Sequence, residues 1–148
     1  ENFDEYLFTG AELAAEFNTI DNLLVRLGYT YLETEDNTGS GKDELQYRPK
    51  HRITLESRYK SAWGFTPYIS FVYVADQYFY GKGGTPYDPP PKAKLDDYMV
   101  VNVKLNYTIK KNITVYAGAD NFLDENYDQS YGYPLSGRYI SAGTEWRF

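Results

Sequence analysis

The stretch Asp120–Phe148, DNFLDENYDQSYGYPLSGRYISAGTEWRF, decides the fold. Counted back from its end as an extended strand, Phe148, Trp146, Thr144, Ala142 and Ile140 fall on one side and Arg147, Glu145, Gly143, Ser141 and Tyr139 on the other. Successive side chains of a strand point to opposite faces, so one face suits lipid and the other water. A soluble sandwich strand alternates too. What sets this one apart is the aromatic residues at its last positions, where a membrane barrel places its interfacial girdle.

The alternation recurs upstream. Met99, Val101, Val103, Leu105, Tyr107 and Ile109 interleave with Tyr98, Val100, Asn102, Lys104, Asn106 and Thr108. A further strand is expected from Ile113 to Ala119, and earlier ones at Leu7–Phe17, Leu23–Leu32, His51–Tyr59 and Phe65–Asp76. The first has a rival: AELAAEF is built from good helix formers, and the strand is preferred because every later segment is one. On the inward side of the third strand stand Arg52, Glu56 and Arg58, read as a charge ladder with carboxylates on neighbouring strands in preference to an anion site.

The connections alternate short and long: Asn18–Asn22, Glu33–Lys50, Ser61–Gly64, Tyr78–Asp97, Lys110–Asn112 and Asn121–Gly137. Outer-membrane barrels have short periplasmic turns and longer outside loops. The pattern predicts an all-β portion of an antiparallel transmembrane β-barrel, with seven up-and-down strands, the three long loops extracellular, and the short turns and Phe148 periplasmic. Seven is an odd number, and single-chain bacterial barrels are even-stranded. The chain is therefore expected to be the carboxy-terminal part of a larger barrel. No signal peptide opens it, so Glu1 is not expected to be the natural start of the precursor.

Composition fits this reading. Seventeen tyrosines in 148 residues suit wet interfaces and membrane boundaries better than deep cores. A net charge of -6 with no basic block argues against a nucleic-acid partner. The absence of cysteine is compatible with an exported bacterial protein. No run of about 18 apolar residues offers a membrane helix, and the negative mean hydropathy is compatible with a barrel, half of whose positions face a polar lumen.

The run Asn121-Phe122-Leu123-Asp124-Glu125-Asn126-Tyr127, then Gly132-Tyr133-Pro134 and Gly137-Arg138, closed by a terminal strand bearing Trp146 and Phe148, resembles the carboxy-terminal signature of TonB-dependent outer-membrane receptors. Phe122-Leu123 inverts the usual order, and Ser136 stands where proline is common. The resemblance implies a bacterial outer-membrane location and active uptake of a scarce small-molecule nutrient, an iron-siderophore first, haem or cobalamin next. It implies outer-membrane lipid and the barrel-assembly machinery as partners, the latter reading the terminal strand through Phe148. TonB would act through a plug domain that is absent from this stretch. The family's barrel has about 22 strands around a plugged lumen.

Tyr78, Tyr80, Tyr87, Tyr131 and Tyr133 lie in the long loops, where an aromatic ligand contact could form; girdle residues are the competing reading for most of them. Two other functions compete with transport. A small structural or adhesive barrel would have no need of the Asn121–Arg138 signature. An outer-membrane enzyme would need a nucleophile and base, but His51 has no nearby serine, and adjacent Asp96 and Asp97 point to opposite faces. No catalytic residue, cofactor or metal is predicted. Asp36-Asn37-Thr38-Gly39-Ser40-Gly41 has the composition of a calcium loop but not its spacing, and Gly81-Lys82-Gly83-Gly84 lacks the spacing and following helix of a phosphate loop. Pro89-Pro90-Pro91 could dock a partner in extended form; a stiff surface loop is the simpler expectation.

Overall fold

A computed structural model describes residues 5–39, 42–82 and 91–148. Seven long strands form one antiparallel sheet in the order β1 (Tyr6–Phe17), β2 (Leu23–Asp36), β3 (His51–Tyr59), β4 (Phe65–Ala75), β7 (Tyr98–Lys110), β8 (Ile113–Asp120) and β11 (Tyr139–Trp146). Two small hairpins sit in the long connections: β5 (Tyr78–Tyr80) with β6 (Lys92–Lys94), and β9 (Asp128–Ser130) with β10 (Tyr133–Pro134). The sheet is open, with β1 and β11 at its two ends.

The ambiguous first segment is a strand. Its ladder runs unbroken from Tyr6 opposite Asp36 to Phe17 opposite Val25, so pairing overrides the helix propensity of the alanines and glutamates. That pairing also carries β2 four residues past Leu32, to Asp36, because β1 supplies partners up to Tyr6. The first long loop is correspondingly shorter than expected.

Directly opposed residues share a face, and the registers sort the faces as the alternation predicts. One row crosses all seven strands: Phe17, Val25, Ser57, Ile69, Val103, Ala119 and Ile140. Above it runs Ala15, Leu27, Leu55, Phe71 and Val101. The other face carries Glu16, Arg26, Glu56, Ser70 and Asn102 in one row. There Arg26 Nε lies 2.7 Å from Glu16 Oε2 and Asn102 Nδ2 donates to Ser70 Oγ at 3.1 Å. The ladder expected around Glu56 thus runs through Arg26; Arg52 opposes Thr30 and Val74, and Arg58 opposes Leu24 and Tyr68, so neither arginine faces a carboxylate.

Almost nothing in the sheet is buried. Among the described residues the buried apolar ones are Val74, Ala75, Leu95 and Tyr98, and the buried polar ones Thr34, Glu44, Gln77 and Asn121. All lie at the long-loop end. Leu13, Leu27, Ile53, Ile69, Leu105 and Ile140 stand exposed on the apolar face, an arrangement that water penalises and hydrocarbon does not.

Candidate functional site: the cap of long loops

The three long connections close over one end of the sheet and lock together. Asn121 ties the last of them. It adopts a left-handed φ of 48°, which asparagine tolerates better than most residues. Its Nδ2 donates to the carbonyls of Glu125 at 2.8 Å and Ser136 at 3.3 Å, while its Oδ1 accepts from Glu125 N at 2.9 Å. Its own N–H donates to Asn102 Oδ1 at 2.9 Å, anchoring the loop to the sheet. Asp124 fastens the far end, accepting from Arg138 N at 2.7 Å. A Cβ at Gly137 would come within 2.8 Å of that same Asp124 oxygen, which explains the glycine. Gly132, at φ 77°, turns the β9–β10 hairpin and donates to Asp128 Oδ2 at 3.1 Å. Asn121, Asp124, Gly132 and Gly137 of the signature are thus the fastenings of a loop.

This loop packs on its neighbour. Tyr127 stacks on Tyr98 with ring centroids 4.4 Å apart, and Tyr131 on Phe79 at 4.2 Å. Buried Gln77 donates from Nε2 to the Gln129 carbonyl at 2.8 Å. Burial raises the Tyr127 phenol above its ordinary range.

The middle loop grips the first in turn. Tyr47 N donates to Tyr78 O at 2.8 Å and Lys50 N to Asp76 O at 3.1 Å. The Tyr80 hydroxyl donates to Asp43 Oδ1 and accepts from the N–H groups of Asp43 and Glu44. Lys92 Nζ lies 2.9 Å from Asp43 Oδ2 and 2.7 Å from buried Glu44 Oε1, the second an ion pair without directed hydrogen-bond geometry; Lys50 reaches Glu44 Oε2 at 3.3 Å. The Tyr78 ring faces Lys92 Nζ at 4.7 Å and Lys50 Nζ at 5.9 Å. Burial pushes the Asp43 carboxyl up, but hydrogen bonds from Tyr80 and Lys92 outweigh it and hold the group below the usual carboxylate range.

On the apolar side of the rim a second chain of contacts runs outward. Tyr29 Oη and His51 Nδ1 are 2.9 Å apart, His51 Nε2 is 3.7 Å from Asp76 Oδ2, and Lys94 Nζ meets Asp76 at 2.7 Å and Asp97 at 3.0 Å. The hydrogen bond from Lys94 holds the Asp76 carboxyl below its usual range, burial opposing. Sequence spacing hides this group, because its members come from three strands and a loop.

Of the predicted contact residues, Tyr78 and Tyr80 are part-buried on β5 and committed to the cap. Tyr131 and Tyr133 project from the β9–β10 hairpin at 62% and 75% exposure, and Tyr87 lies outside the described residues. Trp146 and Phe148 stack with centroids 5.4 Å apart at the opposite, short-turn end. Asp36 Oδ1 accepts from Thr38 N and Oγ1, and among the described residues no His, Asp and Glu side chains converge as a metal site. Gly83, Gly84, Pro89 and Pro90 lie outside the described residues.

Residues 1–122 match the family model described as TonB dependent receptor-like, beta-barrel. The match ends where the signature begins, so the two observations are almost independent. No curated protein matches the chain. Among solved structures, the ferripyoverdine receptor of the outer membrane of Pseudomonas aeruginosa is similar with a TM-score of 0.81 at 20% identity, over 97% of this chain and 20% of that one. The ferric-catecholate import receptor Fiu of E. coli gives 0.75 at 23% identity, over 99% and 22%. The ferric yersiniabactin uptake receptor FyuA of Yersinia pestis gives 0.78 at 16%, over 98% and 24%. Likeness at such identities establishes the fold, and the chain spans about a fifth to a quarter of those receptors' length.

Proposed function

The chain belongs to the TonB-dependent receptor β-barrel family, and from that premise we propose that it forms the carboxy-terminal wall and three outer loops of an outer-membrane receptor importing a ferric siderophore. The observation that carries the proposal is the segregation of the two ends. Every long connection joins one interlocked cap and every short turn lies at the other end, as an orientation with the cap outside and Phe148 in the periplasm requires. The solved proteins of similar fold are receptors for ferripyoverdine, ferric catecholate and ferric yersiniabactin, which supports an iron chelate ahead of haem or cobalamin. The polar face lines a lumen that a plug domain fills, and TonB acts on that plug. The chain's part is to build wall and rim, with no chemistry of its own.

Within the cap, Tyr131 and Tyr133 are the proposed ligand contacts, being exposed on a hairpin whose base is fixed by Asn121 and Asp124. Tyr78 and Tyr80 shape the rim behind them. The test is uptake of radioactive iron by the full-length receptor, expressed in cells lacking their own siderophore receptors, across a panel of chelates. Uptake of one chelate, abolished by loss of TonB and weakened in Tyr131→Ala and Tyr133→Ala, is expected. Surface display without uptake of any chelate would favour the structural or adhesive barrel. Removal of Phe148 is expected to lower the amount of receptor inserted in the membrane more than ligand affinity per receptor.

A further inference from the structure

At the short-turn end, backbone hydrogen bonds join the turns into one rim: Lys60 N to Asn22 O at 2.8 Å, Thr108 N to Gly64 O at 3.0 Å, and Arg147 N to Asn112 O at 2.9 Å. Lys60, Lys110, Lys111 and Arg147 stand along it, with Asp21 and Glu145 as its acids. Arg147 is paired with Glu145 at 2.7 Å. Among the described residues no carboxylate pairs with Lys60, Lys110 or Lys111. In the cap, by contrast, Lys50, Lys92 and Lys94 are all paired.

The chain also goes out of register to place one of these lysines. Strict alternation would put Lys110 on the lumenal face with Thr108. A bulge between Thr108 and Lys110 sets Lys110 opposite Ile113, which itself opposes Trp146 on the apolar face. Bulges re-aim side chains in this way. A lysine on the lipid side is tolerable where its stem lies along hydrocarbon and its ammonium reaches a headgroup. Both tryptophans share the rim, Trp63 at 83% and Trp146 at 64% exposure, the depth at which indole favours the interface.

Directly above, between Tyr59 and the β7–β8 hairpin, the apolar face is grooved. Small residues Ser57, Ala117 and Ala119 floor a trough of about 540 Å³ between Tyr59, Ile69 and Leu105. We infer that rim and groove together hold an anionic phospholipid of the inner leaflet, an acyl chain lying in the trough and the phosphate facing Lys110 and Lys111 at the β7–β8 turn, while Lys60 follows Arg58 on the polar face. A zwitterionic lipid would bring its own ammonium to the same cations. The inference rests on the membrane orientation proposed above and is independent of which chelate is carried.

The test is native mass spectrometry of the full-length receptor, released from detergent with phosphatidylglycerol or phosphatidylcholine added. The wild type is expected to retain phosphatidylglycerol in preference. Changing Lys110 and Lys111 to Gln should erase that preference, by roughly five-fold per lysine, whereas the corresponding Arg variants, and Lys60→Gln on the polar face, should keep it. Ala117→Leu, which fills the trough, should lower retention of both lipids and leave the preference. Equal retention of the two lipids by the wild type, or an unchanged preference in the double Gln variant, would overturn the inference. So would preference for lipopolysaccharide over phosphatidylglycerol, which would turn the rim to the outer leaflet. If the double Gln variant fails to assemble, the wild-type comparison and Ala117→Leu decide. Iron uptake by the same variants separates a failed lipid site from a failed transport reading.

Discussion

The two ends of this sheet are built on different principles. At the long-loop end the chain buries Tyr98, Leu95, Gln77, Glu44 and Asn121 in a mesh of hydrogen bonds, ion pairs and ring stacks. At the short-turn end it makes a few backbone bonds and leaves both tryptophans and Phe148 exposed. Between them, the strands bury almost nothing on either face. The difference shows where each part finds its partner. In the proposed orientation the cap stands in water and must supply its own core, while the band and the lower rim meet lipid, so the apolar surface that would unfold a soluble sheet is the matched one.

The largest disruption is therefore expected from offending the lipid. Leu55 lies mid-strand in the row Ala15, Leu27, Leu55, Phe71 and Val101. Leu55→Arg is expected to destabilise the full-length barrel by about 2–4 kcal/mol, read from urea unfolding in lipid vesicles. An unchanged midpoint would mean that this face is covered by protein, and the comparison would collapse.

Asn121→Ala attacks the cap instead. It strands Glu125 N and two carbonyls in a buried place and puts alanine at φ 48°, a combined cost of about 2–3 kcal/mol. The loss should be local. Hydrogen exchange in the full-length receptor should rise through residues 121–138 and leave β2 and β3 protected. Exchange rising equally throughout the sheet would show that cap and band unfold as one unit.

A smaller effect is expected on the lumenal face. The Tyr116 ring lies across Gly143 of the next strand, so that a Cβ there would sit 2.5 Å from its hydroxyl oxygen and 2.6 Å from Cζ. Lys104 Nζ lies 4.7 Å from the centre of the same ring. Gly143→Ala must displace the ring at about 1–2 kcal/mol, and Gly143→Ala with Tyr116→Ala should recover most of it. No recovery in the double variant would place the cost in the β11 backbone.

Strand number, facing and the segregation of loops were legible because a two-residue period leaves its mark in every segment, and the family signature because its short runs follow one another within Asn121–Arg138. The cap was less legible. The contacts of Tyr80 with Asp43 and of Tyr131 with Phe79 join loops far apart in sequence, and nothing in the spacing of Tyr78 and Tyr80 says that they are held inside the cap while Tyr131 and Tyr133 are presented outside it. The Lys110 bulge was equally hidden, since strict alternation reads straight through it. Propensity misled at Ala11–Phe17 only as far as it was heeded: helix formers paired into a ladder become strand.

The smallest and most selective effect concerns pH, since it should touch the cap and spare the band. Asp43 and Asp76 are held below the usual carboxylate range, so each adds stability above its unfolded value and loses that contribution as pH falls through its lower folded one. Lys92 is shifted the other way: burial pulls its ammonium down, but the close Glu44 carboxylate and the hydrogen bond to Asp43 outweigh this and raise it. The hydrogen bond to Asp76 raises Lys94. Their contributions are complete below the ordinary lysine value and fade as pH climbs through the raised ones. The cap should accordingly stay closed from about pH 4 to about pH 10 and loosen on either side. Pulsed hydrogen exchange, with the pulse at one fixed pH after incubation at several, should show residues 42–50 and 91–97 opening in acid while β3 and β4 hold. In Lys92→Met the opening of 42–50 should already be present at neutral pH, whereas the Asp76–Lys94 contact keeps its acid dependence. Loops and strands that lose protection together would place these ion pairs outside the forces that distinguish the two regions.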